Sequence, residues 1–251
     1  IINTLRSGNT PIQVVFNNQQ TVEHLAGRVA EQLEIDSLTL LNEIKSERFS
    51  TDVKLSSDEL LSLFLPNSYE MYWNISVADF CDRMRVENDR FWDAYREEKR
   101  KKLNLSRAEV ISLAAIVNEE SKKVDERPCV AGVYINRLRK GMKLQADPTV
   151  VYAMKRKAND FDLVVRRVLY KDLQINSPYN TYRKRGLPPG PITMPDVSSI
   201  DAVLDAESHN YLYFVADPNK VGYHLFAITY KQHLANRDIY IRWLNQSRIM
   251  R

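Results

Sequence analysis

The sequence contains few of the residues that form disulfide frameworks or metal sites. Of its 251 residues, two are cysteines and four are histidines. Cys81 and Cys129 are too few for a disulfide framework, and they lack the spacing of a zinc site. The histidines are scattered along the chain, at His24, His209, His224 and His233. We therefore expect neither a metal nor any other cofactor.

The sequence also lacks a long hydrophobic run. No apolar stretch reaches the roughly 18 residues that a membrane-spanning helix needs. The first residues, Ile-Ile-Asn-Thr-Leu-Arg, do not have the pattern of a signal peptide, and they do not begin with Met. We therefore expect the chain to be part of a longer protein.

Neither sign of charge is in large excess. The chain has 36 basic and 32 acidic residues, and its net charge of +4 is too even for a dedicated nucleic-acid surface. The densest basic run, 96–102, contains Glu97 and Glu98, which favours a solvated helix face over a contact with an anionic polymer. A hydrophobic fraction of 44% indicates an ordinary folded protein.

The first part of the chain has the patterns of a small α/β unit and a long helix. Residues 11–16 alternate and are rich in β-branched side chains, which favours a strand. Thr21 then begins a helical pattern. A capping box of Ser56 and Glu59 predicts a second helix, to residue 65. Residues 79–102 predict one long connecting helix.

The middle of the chain predicts three further helices. A capping box that starts at Ser106 predicts a helix over 107–122. Pro128 lies near the start of the next helix, and Gly141 ends it. Asp147, followed by a proline, is predicted to cap the third helix.

The last part of the chain predicts a loop, a hairpin and a helix. Residues 178–195 are rich in Pro, Gly, Thr and Tyr, which excludes regular structure. Residues 211–216 and 223–227 are short β patterns joined by turn residues, and Thr229 begins a last helix. Together with the earlier patterns, these predict an α+β fold.

Two adjacent carboxylates end an almost wholly apolar helical stretch. Glu120 shares a helical stripe with Leu113 and Val117, whereas Glu119 has Lys122 within reach. Glu120 should therefore be the drier residue, and apolar surroundings raise a carboxyl pKa as a general acid requires. From the spacing alone, two exposed glutamates paired with lysines remain the simpler interpretation.

Several motifs stand in the order and approximate spacing of one known family. They are AAIVNEES at 114–121, VYINRL at 133–138, GMKLQADPTVVY at 141–152, YNTY at 179–182, GLPPGPI at 186–192, YLYFVAD at 211–217, and then His224 and Phe226. In these motifs the chain resembles the endolytic murein transglycosylases, the MltG or YceG-like family. Its N-terminal part resembles the family more weakly.

The resemblance implies that Glu120 is the catalytic residue, because the last acidic residue of the family's Glu-x-Glu pattern falls on it. The sequence departs from that pattern at Asn118, so we expect the family's first glutamate to be dispensable. The implied reaction cleaves the β-1,4 bond between N-acetylmuramic acid and N-acetylglucosamine within a strand. Glu120 would protonate the glycosidic oxygen and then accept the proton of the muramyl C6 hydroxyl, which leaves an anhydro end.

The matching motifs also contain side chains of the types that line sugar sites. We expect five of them to bind the glycan, although tyrosines also fill cores. They are Gln145, Tyr179, Asn180, Thr181 and Tyr182. For Asp147 the plainer role is helix capping, with substrate orientation as an added role. For His224 a half-buried structural histidine is the simpler interpretation, and its match to the family favours a role in substrate binding.

The resemblance further implies a domain organisation and a location. We expect a truncated LysM-like α/β unit at 1–65, a connecting loop and helix at 66–104, and a YceG-like catalytic domain at 105–251. Family members carry one N-terminal membrane helix, which implies a place on the periplasmic side of the inner membrane. The implied partners are peptidoglycan strands and peptidoglycan synthases, next to which the enzyme would terminate nascent strands.

Two other functions stay open. One is a peptidoglycan-binding module without turnover, which the glutamate at position 120 argues against. The other is a muramidase in which Asp147 or another second carboxylate activates water, because ordinary glycosidases use two carboxylates. The product separates them, since a transglycosylase leaves an anhydro end and a hydrolase leaves a free reducing end.

Overall fold

Residues 10–246, the part of the chain that the computed structural model describes, form ten α-helices and two small antiparallel sheets. The contacts divide the chain into two compact units. One contains the described residues up to Ser112 together with Pro189–Val197, and the other contains Leu113–Pro188 and the residues from Ser198 onward. The predicted α+β class is confirmed.

The first unit contains a two-stranded sheet and five helices. Its elements are β1 (Pro11–Phe16), α1 (Val22–Ala30), α2 (Ser37–Ile44), α3 (Glu47–Val53), a 3-10 helix (Leu60–Leu63), β2 (Asn67–Tyr72), α4 (Val77–Phe91) and α5 (Ala94–Leu103). The two strands pair from Pro11 opposite Tyr72 to Phe16 opposite Asn67. The predicted strand β1 is confirmed, whereas β2 was not predicted.

The core of this unit forms between the sheet and the helices. Alternate residues of β1, Val14 and Phe16, are fully buried, and the Phe16 ring stacks on that of Tyr69 in β2 at 5.1 Å. Leu25 of α1 and Phe80 of α4 are buried in the same cluster. The Thr21 side chain accepts a hydrogen bond from the backbone N–H of His24 and caps α1, as predicted.

Two helix predictions in this unit are corrected. Only half of the Ser56 and Glu59 capping box forms, because Glu59 accepts the Ser56 N–H at 2.9 Å while the Ser56 hydroxyl donates to the same carboxylate, and only a 3-10 helix follows. The predicted long helix over 79–102 is two helices, α4 and α5. The buried Trp92 leaves helical geometry, and the Asp93 side chain caps α5 by accepting from the Arg96 backbone N–H.

The second unit contains most of the helices that the motifs predicted. Its elements are the later part of α6 (Arg107–Glu120), then α7 (Arg127–Arg139), α8 (Asp147–Ala158), a 3-10 helix (Asp172–Gln174), α9 (Val197–Leu204), β3 (Tyr213–Ala216), β4 (His224–Ala227) and α10 (Tyr230–Gln246). The Ser106 capping box is confirmed, since Ser106 and Glu109 exchange hydrogen bonds of 2.7 and 3.1 Å.

The other caps and the hairpin of this unit also agree with the sequence patterns. Gly141, with φ of +62°, follows α7, and its N–H donates to the Leu138 carbonyl at 3.0 Å. Strands β3 and β4 pair antiparallel, which confirms the predicted hairpin. The Thr229 side chain accepts from the backbone N–H of Gln232 at the start of α10.

The chain between Pro178 and Pro195 has no helix or strand, as predicted, and it contributes to both units. Within the first unit, the Met194 N–H donates to the Gln19 carbonyl at 2.8 Å, and Met194 is fully buried. Residues 66–104, which we expected to connect two domains, belong to the first unit. None of the helices within residues 10–246 is both long enough and apolar enough to cross a bilayer.

Gly190 lies so close to the backbone of Asp58 that a Cβ atom at position 190 would overlap the Asp58 carbonyl. We therefore expect Gly190→Ala to destabilise the protein by about 3 kcal/mol, because backbone atoms cannot move aside as a side chain can. Gly27, in the middle of α1, has open space at the corresponding position. Gly27→Ala should stabilise by about 0.5–1 kcal/mol. Urea denaturation of both variants measures the difference, and equal stabilities would contradict the close approach.

Candidate active site

Glu120 is the last residue of α6, and the helix brings it out of the core. The five residues Leu113–Val117 are fully buried, whereas Glu119 is exposed and Glu120 is half-buried. This is the arrangement that the helical stripe predicted. A carboxyl group is thereby held against apolar side chains and still reaches the surface.

The surroundings of Glu120 set its protonation. Burial raises the pKa of this carboxyl group to about 7, and a hydrogen bond from Tyr134 opposes that rise. The negative charge of Asp147 raises the pKa further, while His224 and Arg137 lower it. A glutamate with this balance is part protonated and part ionised near neutral pH, so it can both give and accept a proton.

Tyr134 of α7 is the hydrogen-bond partner of Glu120. Its hydroxyl donates to Glu120 Oε1 at 2.8 Å, and its ring packs edge-on against Phe214 of β3 at 5.9 Å. Tyr134 lies within the VYINRL motif at 133–138, but it was not predicted to be a site residue. The available signal was the hydroxyl, because a buried tyrosine needs a hydrogen-bond partner.

The neighbours of Glu120 in α6 have structural contacts. The Glu119 carboxylate lies 3.3 Å from Lys122 Nζ at the surface. Asn118 is buried, and its Oδ1 accepts a hydrogen bond of 3.1 Å from the Ser199 hydroxyl of α9. Asn118 therefore joins α6 to α9.

Asp147 does not cap α8, so that prediction is wrong. The N-cap residue is Ala146, and the Asp147 side chain makes no cap hydrogen bond. The exposed Asp147 carboxylate instead accepts a hydrogen bond of 2.5 Å from the Tyr182 hydroxyl. The negative charge of Asp147 lies close enough to Glu120 to raise the pKa of the Glu120 carboxyl group.

Three of the predicted glycan-binding residues are buried in the loop that carries them. Tyr179 packs against Tyr152, with ring centroids 4.7 Å apart. Asn180 Nδ2 donates to the carbonyls of residues 173 and 175, and Thr181 Oγ1 accepts the Ala146 N–H at 3.0 Å. In this arrangement the three side chains hold the loop in shape.

Tyr182 and Gln145 are the two predicted residues of this group that reach the surface. Tyr182 is half-buried beside Asp147, and Gln145 is exposed. Gln145 has a φ of +52°, and its N–H donates to the Thr181 carbonyl at 3.2 Å. The loop and the start of α8 therefore present one tyrosine, one amide and one carboxylate together.

His224 is the first residue of β4, and Glu126 forms hydrogen bonds with it. Glu126 was not predicted to be a site residue. Glu126 Oε1 accepts the His224 backbone N–H at 2.7 Å, and Oε2 lies 2.8 Å from His224 Nδ1. The Ser121 hydroxyl donates to the same carboxylate at 3.0 Å. No local pattern could reveal this pair, because 98 residues separate its members.

Arg137 is a buried cation near these groups. Its Nε donates to the Leu212 carbonyl at 2.6 Å, and its Nη1 donates to the Leu144 carbonyl at 2.5 Å. The guanidinium also lies 5.4 Å from the centre of the Tyr213 ring. Because its hydrogen bonds go to backbone carbonyls, its charge acts on Glu120 without forming an ion pair with it.

Among residues 10–246 there is no cluster of three or more His, Cys, Asp or Glu side chains that could hold a metal ion. The two cysteines are free thiols, with Cys81 buried and Cys129 partly buried. The ionisable groups described around Glu120 are the Tyr134 phenol, the Asp147 carboxyl, the His224 imidazole and the Arg137 guanidinium.

The comparisons with known proteins agree with the motifs. The YceG-like family matches residues 1–239. An endolytic murein transglycosylase of Bacillus subtilis (strain 168) is 32% identical over 98% of this chain and 70% of its own length. A protein of the same name from Streptococcus pneumoniae (strain D39) is 28% identical over 85% of this chain, and the match spans only 40% of that relative.

A solved structure is also similar. A crystal structure of a yceG-like protein from Listeria monocytogenes superposes with a TM-score of 0.72, at 28% identity, and the match covers 90% of this chain and 75% of the Listeria chain. The resemblance seen in the motifs is thus confirmed, and this chain belongs to the YceG-like family.

Proposed function

We propose that this chain is an endolytic lytic transglycosylase that cleaves the β-1,4 bond between N-acetylmuramic acid and N-acetylglucosamine within peptidoglycan strands. The observation that carries the proposal is the half-buried Glu120 carboxyl group, whose pKa lies at about 7. The names of the relatives from Bacillus and Streptococcus support it. Glu120 is the catalytic residue in this proposal.

In the first step Glu120, in its protonated form, gives its proton to the glycosidic oxygen as the bond to the muramyl C1 breaks. A general acid must hold its proton at the working pH and release it in the transition state, which requires a pKa near neutrality. Burial supplies that pKa, and the Tyr134 hydroxyl stabilises the carboxylate that forms.

In the second step the Glu120 carboxylate accepts the proton of the muramyl C6 hydroxyl. The C6 oxygen then bonds to C1 of the same sugar, which yields the anhydro end and returns Glu120 to its protonated state. No water is consumed. One carboxyl group therefore completes the cycle, which agrees with a centre where Asp147 is already bonded to Tyr182.

We propose direct contacts with the glycan for fewer residues than the sequence pattern predicted. Tyr182, Gln145, Asp147 and His224 have side chains that reach the surface or the edge of the site, so we propose direct contacts with sugar for these. Tyr179, Asn180 and Thr181 support the substrate by shaping the loop that carries Tyr182.

A muramidase is the second candidate, and Asp147 is the observation that favours it. Its exposed carboxylate faces the same centre as Glu120, as the acid and base of a two-carboxylate glycosidase do. In that case Asp147 would activate water, and the product would have a free reducing end.

The cellular setting is part of the proposal. An enzyme that cuts within strands works where peptidoglycan lies, outside the cytoplasmic membrane. We extend the proposal to a single-pass inner-membrane protein with this chain in the periplasm, to peptidoglycan synthases as partners, and to termination of nascent strands. The LysM-like unit at 1–65 and the catalytic domain at 105–251 belong to the same proposal.

Glu120→Gln should lower the rate of strand cleavage by more than about 10²-fold, because the amide has almost the same size and cannot transfer the proton. Mass spectrometry of digested polymeric peptidoglycan measures both the rate and the chemistry of the new ends. Glu119→Gln is the matched control and should retain activity, since Glu119 pairs with Lys122 at the surface. Free reducing ends from the unmodified chain would favour the muramidase, and activity that survives Glu120→Gln would reject Glu120 as the acid.

The pH dependence of kcat/KM should fall on the alkaline side as Glu120 loses its proton, near its pKa of about 7. Tyr134→Phe removes a hydrogen bond that lowers this pKa, so the fall should move to higher pH. Asp147→Asn removes a negative charge that raises it, so the fall should move to lower pH. Rates on soluble glycan strands from pH 5 to 9 measure both. Shifts in the same direction for the two variants would show that Glu120 does not govern the profile.

Glu120 should also reduce the stability of the protein above neutral pH. Its pKa is about 7 in the folded chain and about 4.3 in an unfolded one, so the folded state favours the proton. The stability is complete below pH 4 and is lost between pH 4 and 7, by up to about 4 kcal/mol. Glu120→Gln should therefore be more stable than the unmodified chain at pH 8 and equal to it at pH 4. Urea denaturation at the two pH values tests this, and a difference that does not depend on pH would contradict it.

A further inference from the structure

Glu126 and His224 form a hydrogen-bonded pair in the second unit, in addition to the pair of Glu120 and Tyr134. The proposed acid and base steps do not use this second pair. Glu126 is buried, and its carboxylate accepts three hydrogen bonds, from the Ser121 hydroxyl, the His224 backbone and His224 Nδ1. Burial raises the pKa of Glu126, but the hydrogen bonds from His224 and Ser121 lower it by more, so the net shift is downward. The group is therefore a carboxylate at neutral pH.

The contacts with Glu126 fix both the position and the tautomer of the imidazole. A carboxylate can only accept hydrogen bonds, so the hydrogen of neutral His224 lies on Nδ1, 2.8 Å from Glu126 Oε2. The lone pair of the neutral ring is then on Nε2, which points away from Glu126. No residue within 10–246 forms a hydrogen bond with this atom, and the His224 side chain is 15% exposed.

The pair is tied to the surroundings of Glu120 in two ways. The Ser121 hydroxyl that Glu126 binds belongs to the residue directly after Glu120. The His224 ring also lies edge-on against Phe214, with centroids 5.0 Å apart, and Phe214 packs in the same manner on Tyr134, the hydrogen-bond partner of Glu120. The imidazole and the Glu120 carboxyl group therefore stand at the two ends of one row of rings.

A fixed acceptor at this place selects a hydrogen-bond donor on the substrate. Within a strand, the muramyl sugar has its C1 and C4 oxygens in glycosidic bonds and its C3 oxygen in the lactyl ether. Its remaining donors are the C6 hydroxyl and the N–H of the 2-acetamido group. In the proposed reaction the C6 hydroxyl gives its proton to Glu120, which leaves the acetamido N–H for His224.

We infer that His224 Nε2 accepts a hydrogen bond from the acetamido N–H of the muramyl sugar at the cleaved bond, and that Glu126 positions His224 for this contact. The inference rests on the proposed function. It makes His224 a catalytic residue that touches substrate and Glu126 a positioning residue that acts through it.

The contact has a chemical purpose in a centre with one working carboxyl group. As Glu120 protonates the leaving oxygen and the C1–O bond breaks, the acetamido carbonyl oxygen bonds to C1, in the substrate-assisted manner of some glycosidases. The acetamido nitrogen gains positive charge in this step, and its N–H becomes a stronger donor. The C6 oxygen then displaces the carbonyl oxygen from C1 while Glu120 takes the C6 proton, which restores the neutral acetamide. A hydrogen bond that strengthens as charge develops accelerates the reaction.

The matched variants are His224→Asn and Glu126→Gln. Asn places its amide N–H near the position of Nδ1, so it keeps the bond to Glu126 and removes only Nε2. A bicyclic thiazoline made from N-acetylmuramic acid serves as the probe, because its fused ring resembles the cyclised acetamido group. The reference ligand is an uncleaved muramyl oligosaccharide, bound to proteins that also carry Glu120→Gln.

We expect His224→Asn to weaken binding of the thiazoline about 10- to 100-fold and to lower kcat by a similar factor, because a hydrogen bond to a charged group is lost. The affinity for the oligosaccharide should change less than threefold. Glu126→Gln should have a smaller effect of the same kind, and the two changes together should not add. Isothermal titration calorimetry measures the affinities, with thermal unfolding as the check on folding.

Each other outcome overturns the inference. Equal weakening of the thiazoline and the oligosaccharide means that His224 supports the fold or binds the sugar uniformly, and unchanged affinity for both means that Nε2 contacts neither. Failure of the proposed function is visible separately, as the absence of anhydro ends from the unmodified chain. The calorimetric comparison can be read in that case as well, because it needs no turnover.

Discussion

The feature on which the site depends is the transfer of one carboxyl group out of water at the end of a buried helix. Residues 113–117 of α6 are fully buried, which fixes the helix axis and brings Glu120 to the edge of the core. Burial is the largest influence on its pKa, and the hydrogen bond and charges around it act as smaller corrections. The same packing that stabilises the unit thus creates the reactive group, and the two roles cannot be separated by a mutation that alters the buried face of α6.

The sequence revealed the features that local chemistry determines. The caps at Thr21, Ser106 and Thr229 depend on bonds between a side chain and a backbone N–H three residues away, and the contrast between Glu119 and Glu120 depends on helical periodicity. Each of these can be recognised in a short window. The family motifs then selected Glu120 from a pattern that, on spacing alone, also fitted two exposed surface residues.

Features that depend on distant residues could not be read in this way. Asp147 looked like a helix cap because a proline follows it, but Tyr182, 35 residues away, takes its carboxylate instead. Strand β2 has only two buried side chains, and it exists because β1 pairs with it. The break between α4 and α5 had a local signal in Asp93, which the apolar periodicity on either side concealed. Glu126 became visible only when its contact with His224 was known.

The path of the chain between the two units affects how the protein can be made. The segment Pro189–Val197 belongs with residues up to 112, and its Met194 is part of the first core. During synthesis the whole stretch Leu113–Pro188 leaves the ribosome before this segment does. Most of the first unit is therefore synthesised early, but its core stays incomplete until Met194 has been added. By then residues 113–188 of the second unit have already been synthesised. Each unit is formed by two separate stretches of the chain. A single cut in the gene therefore cannot yield either unit complete and by itself.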